Sequence, residues 1–459
     1  MTIDRAAVVE ILERTLPGRV QTDPEALHRC TTDRSGHRAA DDPLALVQAC
    51  SIEEVQQVCR IASETSTPIV TRGAGTGLAG GAIAGDGEIV LSLEQMDQIL
   101  EISTNNRLAV VEPGILNGDL NRALRDHGLW WAPDPASKDI STVGGNIAMN
   151  AGGLLCAKYG VTREAVLAMK VVLADGRLIS VGHRTVKGVT GYDLCALMIG
   201  SEGTLGIIVE ATVKLQPLVV GETVTIGAFF DHVDDGAAAA SAITAAGHVV
   251  AIMELMDQAT LECVSEYSGE DLLSRGRAHL LVQCDGPGAA RLAEDVTSVI
   301  TDHGGAVEAT SDPDETERLL HLRRTAFPAL ESKGTVLVED IAVPRDRIAE
   351  TFARIRALEH EHGVTIPTTC HAGDGNLHPT FVHQGGAVPE NIWAAAGALF
   401  AHALEVGGTL TGEHGVGLLK REWLQDELGP EQLHLQRQIK ELFDPADLLN
   451  PGKMFDPPG

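Results

Sequence analysis

Two short stretches of this 459-residue chain carry side chains of the kind that bind metals and move protons. "HAGDGNLH" sets His371 and His378 seven positions apart around a glycine-broken loop, and "GEHGVG" places Glu413 and His414 between glycines. Two imidazoles and a carboxylate that leave coordination positions open suit a catalytic divalent cation such as Zn, Fe or Mn. His-x6-His is not a standard zinc spacing and the chain has seventeen histidines, so satisfied core or surface histidines are the competing reading. Asp374, between two glycines, reads as a turn residue in preference to one that orients a ligand histidine. "HLRRTAFPA" puts Arg323 and Arg324 side by side on a helix. A guanidinium facing a site can grip a substrate carboxylate with two parallel bonds, while at least one of the pair is solvated.

A second kind of chemistry is written in glycine. "TRGAGTGLAGGA" contains Gly75-Thr76-Gly77-Leu78-Ala79-Gly80, a match to the G-x-G-x-x-G dinucleotide fingerprint. That fingerprint requires a strand leading in and a helix leading out. The strand "PIVT" leads in, but "GGAIAGDGEIVLSL" follows with no helical periodicity and then another strand. The bare N–H groups of such a run can still wrap an anion without a helix dipole; a plain solvent loop is the alternative. Two more segments are glycine-rich and irregular. "PDPASKDISTVGGNIAMNAGG" has too many glycines for a helix and too little alternation for a strand, and "GSEGTLG" brackets Glu202, Thr204 and Leu205 with Gly200, Gly203 and Gly206. Asn146 and Asn150 add amide donors and acceptors. Three such segments favour one large anionic ligand over three idle loops.

The elements that must position these groups alternate along the chain. A first amphipathic helix precedes the strand "LALVQA", and Ser51-Ile52-Glu53-Glu54 is a capping box opening "EEVQQVCRIASET". Asn117 is expected to cap "GDLNRALRDHG", and "MKVVLADGRLISV" to form a hairpin turning on Asp175-Gly176. From about residue 219, strands such as "ETVTIGAFF" and "HLLVQCD" alternate with helices, an α+β pattern with an antiparallel sheet of ferredoxin-like kind. The last fifty residues read as helical. Domains are expected over 1–219 and 220–411, with a C-terminal segment over 412–459. A chain this long needs more than one core. The net charge of −29 argues against nucleic acid or an anionic lipid surface as partner. Eight scattered cysteines without a C-x-x-C pair read as reduced thiols of a cytoplasmic protein. No signal peptide and no membrane-spanning stretch is legible.

Taken in order, "RGAGTGLAGG", "PDPASKDISTVGGNIAMNAGG", "KYGVTREAV", "GSEGTLGII", "HAGDGNLHP", "GEHGVG" and "LNPGKMF" resemble the flavoprotein family of D-lactate dehydrogenase, the glycolate oxidase flavin subunit and D-2-hydroxyglutarate dehydrogenase. The resemblance spans residues 40 to 455. It implies an FAD-binding domain of the vanillyl-alcohol-oxidase type, a ferredoxin-like α+β substrate cap domain and a helical C-terminal segment. By the resemblance, Arg72, Gly73, Ala74, Gly75, Thr76 and Gly77 form the pyrophosphate loop. Pro133, Ser137, Thr142, Gly144, Gly145, Asn146 and Gly153 would line the flavin and diphosphate. Glu202, Gly203 and Ile207 would hold the adenine and ribose end, and Asn450 would close the site. His371, His378 and Glu413 match the family's metal ligands (Zn, or Mn or Fe), His414 its general base, and Arg323 the arginine that pairs with the substrate carboxylate.

The implied reaction is oxidation of a small D-2-hydroxy acid to the 2-oxo acid by hydride transfer to FAD. Dicarboxylate-specific members of the family carry a lysine where this chain has Val338 and an asparagine where it has Thr380, which points to the D-lactate and glycolate branch. No histidine or cysteine lies in or beside residues 71–82, so the FAD is expected to be non-covalent. The electron acceptor (a quinone, an electron-transfer protein or a cytochrome) and association as a homodimer stay open. The alternatives are a D-2-hydroxyglutarate dehydrogenase or glycolate oxidase flavin subunit, a metallohydrolase with structural glycine loops, and a flavin subunit that only passes electrons within a complex.

Overall fold

The structure is a computed structural model that describes residues 5–456. The chain divides into two compact units. The first comprises Met1–Gly152, Gly160–Leu218 and Glu413–Gly459, and the second Gly153–Tyr159 and Val219–Gly412. The short stretch Gly153–Tyr159 thus leaves the first unit's run of chain and groups with the second. It is tied there by the side chains of Lys158 and Tyr159 on Asp285. Among the described residues no helix is long and apolar enough to cross a membrane.

The first unit holds two larger sheets. One has four strands in the order Val20–Gln21, Ala45–Gln48, Ile89–Ser92, Ile69–Arg72, the last two pairings parallel. Helix Ile52–Thr65 starts where Ser51 Oγ accepts the Glu54 N–H. Glu54 bonds back to the N–H of Cys50 rather than of Ser51, a capping box shifted by one residue. Its buried stripe of Val55, Val58 and Ala62 packs in one core with Val8, Leu12, Ile69 and Ile89. The other sheet is antiparallel, in the order Ile99–Ser103, Leu108–Val111, Ile207–Lys214, Val166–Val172, Leu178–Gly182. The expected hairpin is its last pair.

Two sequence expectations are corrected here. Asn117 is the first residue inside helix Asn117–Arg125 and Leu116 occupies the cap; the Asn117 amide instead donates to the Pro133 carbonyl at 2.9 Å. The glycine-rich segment contains a seven-residue helix, Val143–Met149, capped by Thr142 Oγ1 on the Gly145 N–H and closed by Asn150 at φ 51. Helix propensity disfavours Gly144-Gly145. Packing overrides it, because a Cβ on Gly144 would sit 2.5 Å from Pro113 Cβ.

The second unit is built on an eight-stranded sheet. Its path runs Ala306–Thr310, Thr223–Phe230, Ala278–Asp285, Ile252–Met256, Thr368–His371, Asn376–His383, Thr335–Val338, and Ile341–Ala342 also pairs with Asn376–His383. Every pairing is antiparallel. The strand Ile252–Met256 is buried at all five positions, so both faces of the sheet are covered. Phe229, Met256 and Leu322 share a core cluster with Leu261, Val264 and Ala326. The strand period of two therefore turns Glu254, like Met256, toward the helices around Leu322.

Candidate active site

In the second unit the chemistry-bearing residues converge on a β-hairpin. His371 ends strand Thr368–His371, and His378 lies in strand Asn376–His383 opposite Thr369. The turn between them is tight. Gly375 has φ +90, and Asp374 Oδ1 accepts the Asn376 N–H at 3.2 Å, so Asp374 is a turn residue. The glycine-broken loop is thus a hairpin turn that brings the two imidazoles to 4.9 Å between centroids, edge to face.

Glu254 pairs in register with His371 from the neighbouring strand. Its Oε1 lies 2.6 Å from His371 Nδ1, and its Oε2 accepts Arg323 Nε at 2.9 Å. Arg323 Nη2 reaches Thr369 Oγ1 at 3.3 Å. Glu254 is 1% exposed, so its charge is offset by the Arg323 guanidinium and solvated by the His371 Nδ1 contact rather than by water. Arg324, by contrast, pairs with exposed Glu317, and its own side chain is 51% exposed. Asp340, fully buried, accepts from Asn376 Nδ2 and Thr411 Oγ1, each at 2.6 Å, and its Oδ1 is 3.8 Å from His378 Nδ1. Sequence reading missed both Glu254 and Asp340. The available signal was a carboxylate inside an otherwise apolar strand, "IMELM", and an acidic pair, Glu339-Asp340, beside the apolar "TVLV".

In the first unit the glycine segments meet one another. Arg72 ends strand Ile69–Arg72 and folds back, donating to the Ala82 carbonyl at 2.7 Å, so it clasps the loop Gly73, Ala74, Gly75, Thr76, Gly77. A Cβ on Gly73 would collide with Thr142 Oγ1, which places the first segment against the second. One on Gly203 would sit 3.1 Å from Asn450 Nδ2 and 4.0 Å from Thr71 Cβ. Asn450 Nδ2 donates to the carbonyls of Glu202 (2.7 Å) and Gly81 (3.3 Å), so the third segment and the C-terminal stretch join the same place. Pro133 lies buried, and Ser137 closes a turn by accepting the N–H groups of Ile140 and Ser141 at 2.8 Å. Ile207 is core, opposite Val172. Gly153 falls in the second unit.

Among the described residues, the polar atoms here that are shielded from solvent and lack a hydrogen-bond partner include Thr71 Oγ1, Ser141 Oγ, Asn146 Nδ2 and Asn450 Oδ1, with Asp33 Oδ2 facing Gly77. Buried polar groups are rarely left unpaired. Bare backbone with unspent amide and hydroxyl groups fits a large polar ligand such as a dinucleotide.

The "GEHGVG" stretch belongs to the first unit from Glu413 onward. Glu413 lies against Gly152, where a Cβ would collide with its carboxylate, and His414 Nε2 is 3.9 Å from Glu413 Oε1. Glu202 does not project into open space. Its two carboxylate oxygens accept the N–H groups of Val416 (2.7 Å) and Gly417 (2.8 Å), and burial pushes its pKa up to about 7 against the pull of those two bonds.

Comparison with known proteins completes the description. Residues 43–182 match the family "FAD binding domain", and residues 221–454 match "FAD linked oxidases, C-terminal domain". The chain is 41% identical to the glycolate oxidase subunit GlcD of Bacillus subtilis, over 90% of this chain and 89% of that one. It is 39% identical to a D-lactate dehydrogenase of Archaeoglobus fulgidus, over 91% and 92%. Among solved structures, p-cresol methylhydroxylase superposes with a TM-score of 0.81 at 18% identity, covering 98% of this chain and 96% of that one, a likeness of fold.

Proposed function

The chain belongs to the FAD-linked oxidases of the glycolate oxidase and D-lactate dehydrogenase type, and from that premise we propose that it oxidises a small D-2-hydroxy acid to the 2-oxo acid with non-covalent FAD and a divalent cation. The observation that carries this reading is the row Arg323–Glu254–His371, which sets a largely shielded cation for a carboxylate beside an imidazole held in one orientation. The metallohydrolase alternative loses its footing, because the glycine segment over 71–82 falls within the FAD-binding match.

Arg72 through Gly77, Pro133, Ser137, Thr142, Gly144, Gly145, Asn146, Gly153, Gly203, Ile207 and Asn450 are the residues proposed to hold FAD, with Glu202 beside them. When bound, FAD supplies the two-electron acceptor for the Cα–H bond that breaks. His371, His378 and Glu413, which follows Gly412 directly in sequence, are the proposed ligands of a Zn, Mn or Fe ion, whose Lewis acidity makes an α-hydroxyl easier to ionise. Glu254 on Nδ1 fixes the His371 ring and its tautomer, as carboxylates do behind metal-binding histidines. His414 takes the hydroxyl proton. Arg323 holds the substrate carboxylate with its fork-shaped cation.

Substrate size follows from two neighbours of the hairpin. Val338 and Thr380 are cross-strand partners, and Thr380 shares a strand face with His378. Neither offers a charge to a second carboxylate, which favours D-lactate, D-2-hydroxybutyrate or glycolate over D-2-hydroxyglutarate.

The test is a panel of D- and L-2-hydroxy acids with an artificial acceptor dye, before and after EDTA. Turnover of a small D-acid, lost with the metal and restored by Zn²⁺ or Mn²⁺ in wild type but not in His371→Ala, is expected. Full activity after EDTA would remove the metal from the proposal, and no turnover of any 2-hydroxy acid would remove the reaction.

A further inference from the structure

Glu202 is an odd residue to find where it is. It is 4% exposed and has a left-handed backbone at φ 54, which costs a non-glycine residue about 1 kcal/mol or more. The conformation is held from both sides. Its N–H donates to the Ala148 carbonyl at 2.9 Å, and its own carbonyl accepts Asn450 Nδ2 at 2.7 Å. A carboxylate fixed this firmly points its two oxygens at two successive backbone N–H groups, those of Val416 and Gly417.

The loop that receives it is shaped around it. Gly415 has φ +87, and a Cβ there would meet Glu202 Oε1 at 2.9 Å and collide with Met149 Cε. Gly417 has φ +51 and abuts the Ala79 carbonyl, which accepts the Leu418 N–H at 2.8 Å. The two oxygens of one carboxylate answer two successive N–H donors at once. Glutamine supplies one acceptor and would turn an NH₂ against the other donor.

We propose that Glu202 is a positioning residue that clamps the loop Glu413–Gly417 by its backbone and so fixes where Glu413 and His414 project. The role of the clamp in catalysis rests on the reading of Glu413 as a metal ligand and His414 as the base. When the Glu202 carboxyl is ionised, hydrogen bonds from backbone N–H groups to it are about twice as strong as neutral ones, and losing a supporting bond behind a metal ligand typically weakens metal binding by about ten- to a hundredfold.

The experiment uses Glu202→Gln in the full-length, FAD-loaded protein. Hydrogen exchange is followed in the peptide containing Val416 and Gly417, alongside Mn²⁺ titration after EDTA, FAD retention and kcat at saturating Mn²⁺. Expected are faster exchange at those amides, Mn²⁺ affinity lower by about ten- to a hundredfold, lowered kcat with KM little changed, and FAD retained. Wild-type exchange together with wild-type Mn²⁺ affinity overturns the clamp. Fast exchange with unchanged Mn²⁺ affinity and kcat overturns its positioning role, and loss of FAD with intact metal binding makes Glu202 a flavin-site residue instead. If wild type binds no Mn²⁺ while the variant still exchanges faster, the metal reading has failed and the clamp stands. Gly415→Ala, which drives a methyl toward Glu202 Oε1, is the second variant should Glu202→Gln not fold, and it is read in the same assays.

Discussion

Glu254 Oε1 lies 2.6 Å from His371 Nδ1, from the strand next to the one that carries the histidine, with both residues almost fully buried. A carboxylate on Nδ1 sets the ring's rotation and its tautomer, and raises the basicity of the other nitrogen. Glu254→Gln should therefore lower metal affinity by about tenfold to a hundredfold while FAD content stays at the wild-type level. Metal titration of the EDTA-stripped variant measures this. Unchanged affinity would make the pair architectural.

Arg323 and Arg324 should separate cleanly. Arg323 is mostly buried against Glu254, whereas Arg324 is half exposed. Arg323→Lys keeps the charge but loses the fork, and a charge-assisted contact is worth about 1.5–3 kcal/mol, so the substrate KM should rise about tenfold to a hundredfold. Arg324→Lys should be nearly silent. Steady-state kinetics on the two variants decides, and the reverse pattern would reassign the carboxylate site.

The orphaned amide of Asn146 allows a test that separates cofactor from fold. Among the described residues Asn146 Nδ2 has no partner, so Asn146→Ala should leave the melting temperature of FAD-free protein nearly unchanged. If the amide serves FAD, its loss should cost about 0.5–1.5 kcal/mol of binding, a fall in FAD affinity of about three- to tenfold. The purified wild type should be yellow, and acid or heat should release intact FAD into solution. Flavin that stays with the denatured chain would contradict non-covalent binding.

A further test concerns acid. His279 is fully buried beside the Phe229 ring, and among the described residues neither ring nitrogen has a hydrogen-bond partner. Burial, aided by the cations of Arg275 and Arg318, pushes its pKa from 6.5 down to about 3. The folded state thus binds fewer protons here than the unfolded chain. The stability this contributes is whole above pH 6.5 and is lost progressively as pH falls toward 3. Each pH unit in that window is worth at most about 1.4 kcal/mol. His279→Phe should flatten the acid limb of a stability–pH profile measured by denaturant titration. An unchanged limb would place acid sensitivity elsewhere.

What was legible in the sequence follows residue type and local pattern. Glycine runs at 71–82 and 200–206 fit neither a helical nor a strand period, so their irregular backbone was readable. His371 and His378 announced themselves by chemistry and by the glycines between them. Glu254 did so only faintly: a carboxylate inside the apolar run "IMELM" marks an odd position, but nothing local says that the sheet brings it opposite His371, 117 positions away. The helix Val143–Met149 was hidden for a related reason. Its glycines argue against helix locally, and the argument is overturned by Pro113, which is distant in sequence and leaves no room for a side chain. Glu202 was readable as a site residue from its glycine brackets, but its partners, two backbone N–H groups, have no sequence signature at all.

The division of the chain into segments has a consequence for the order in which a ribosome can complete the two units. Ile69 donates to the Leu448 carbonyl at 2.7 Å and accepts from the Asn450 N–H at 2.8 Å, while Lys440 anchors the carbonyls of Thr204 and Leu449. The first unit therefore lacks a row of hydrogen bonds and part of its core until Glu413 onward has been made, although most of it is translated early. The second unit has all of its segments once Gly412 has emerged. Domains ordinarily mature from the N-terminus forward. Here the unit begun first is the one finished last, and a nascent chain must keep the apolar strands Ile69–Arg72 and Ile89–Ser92 from aggregating throughout synthesis of the whole second unit.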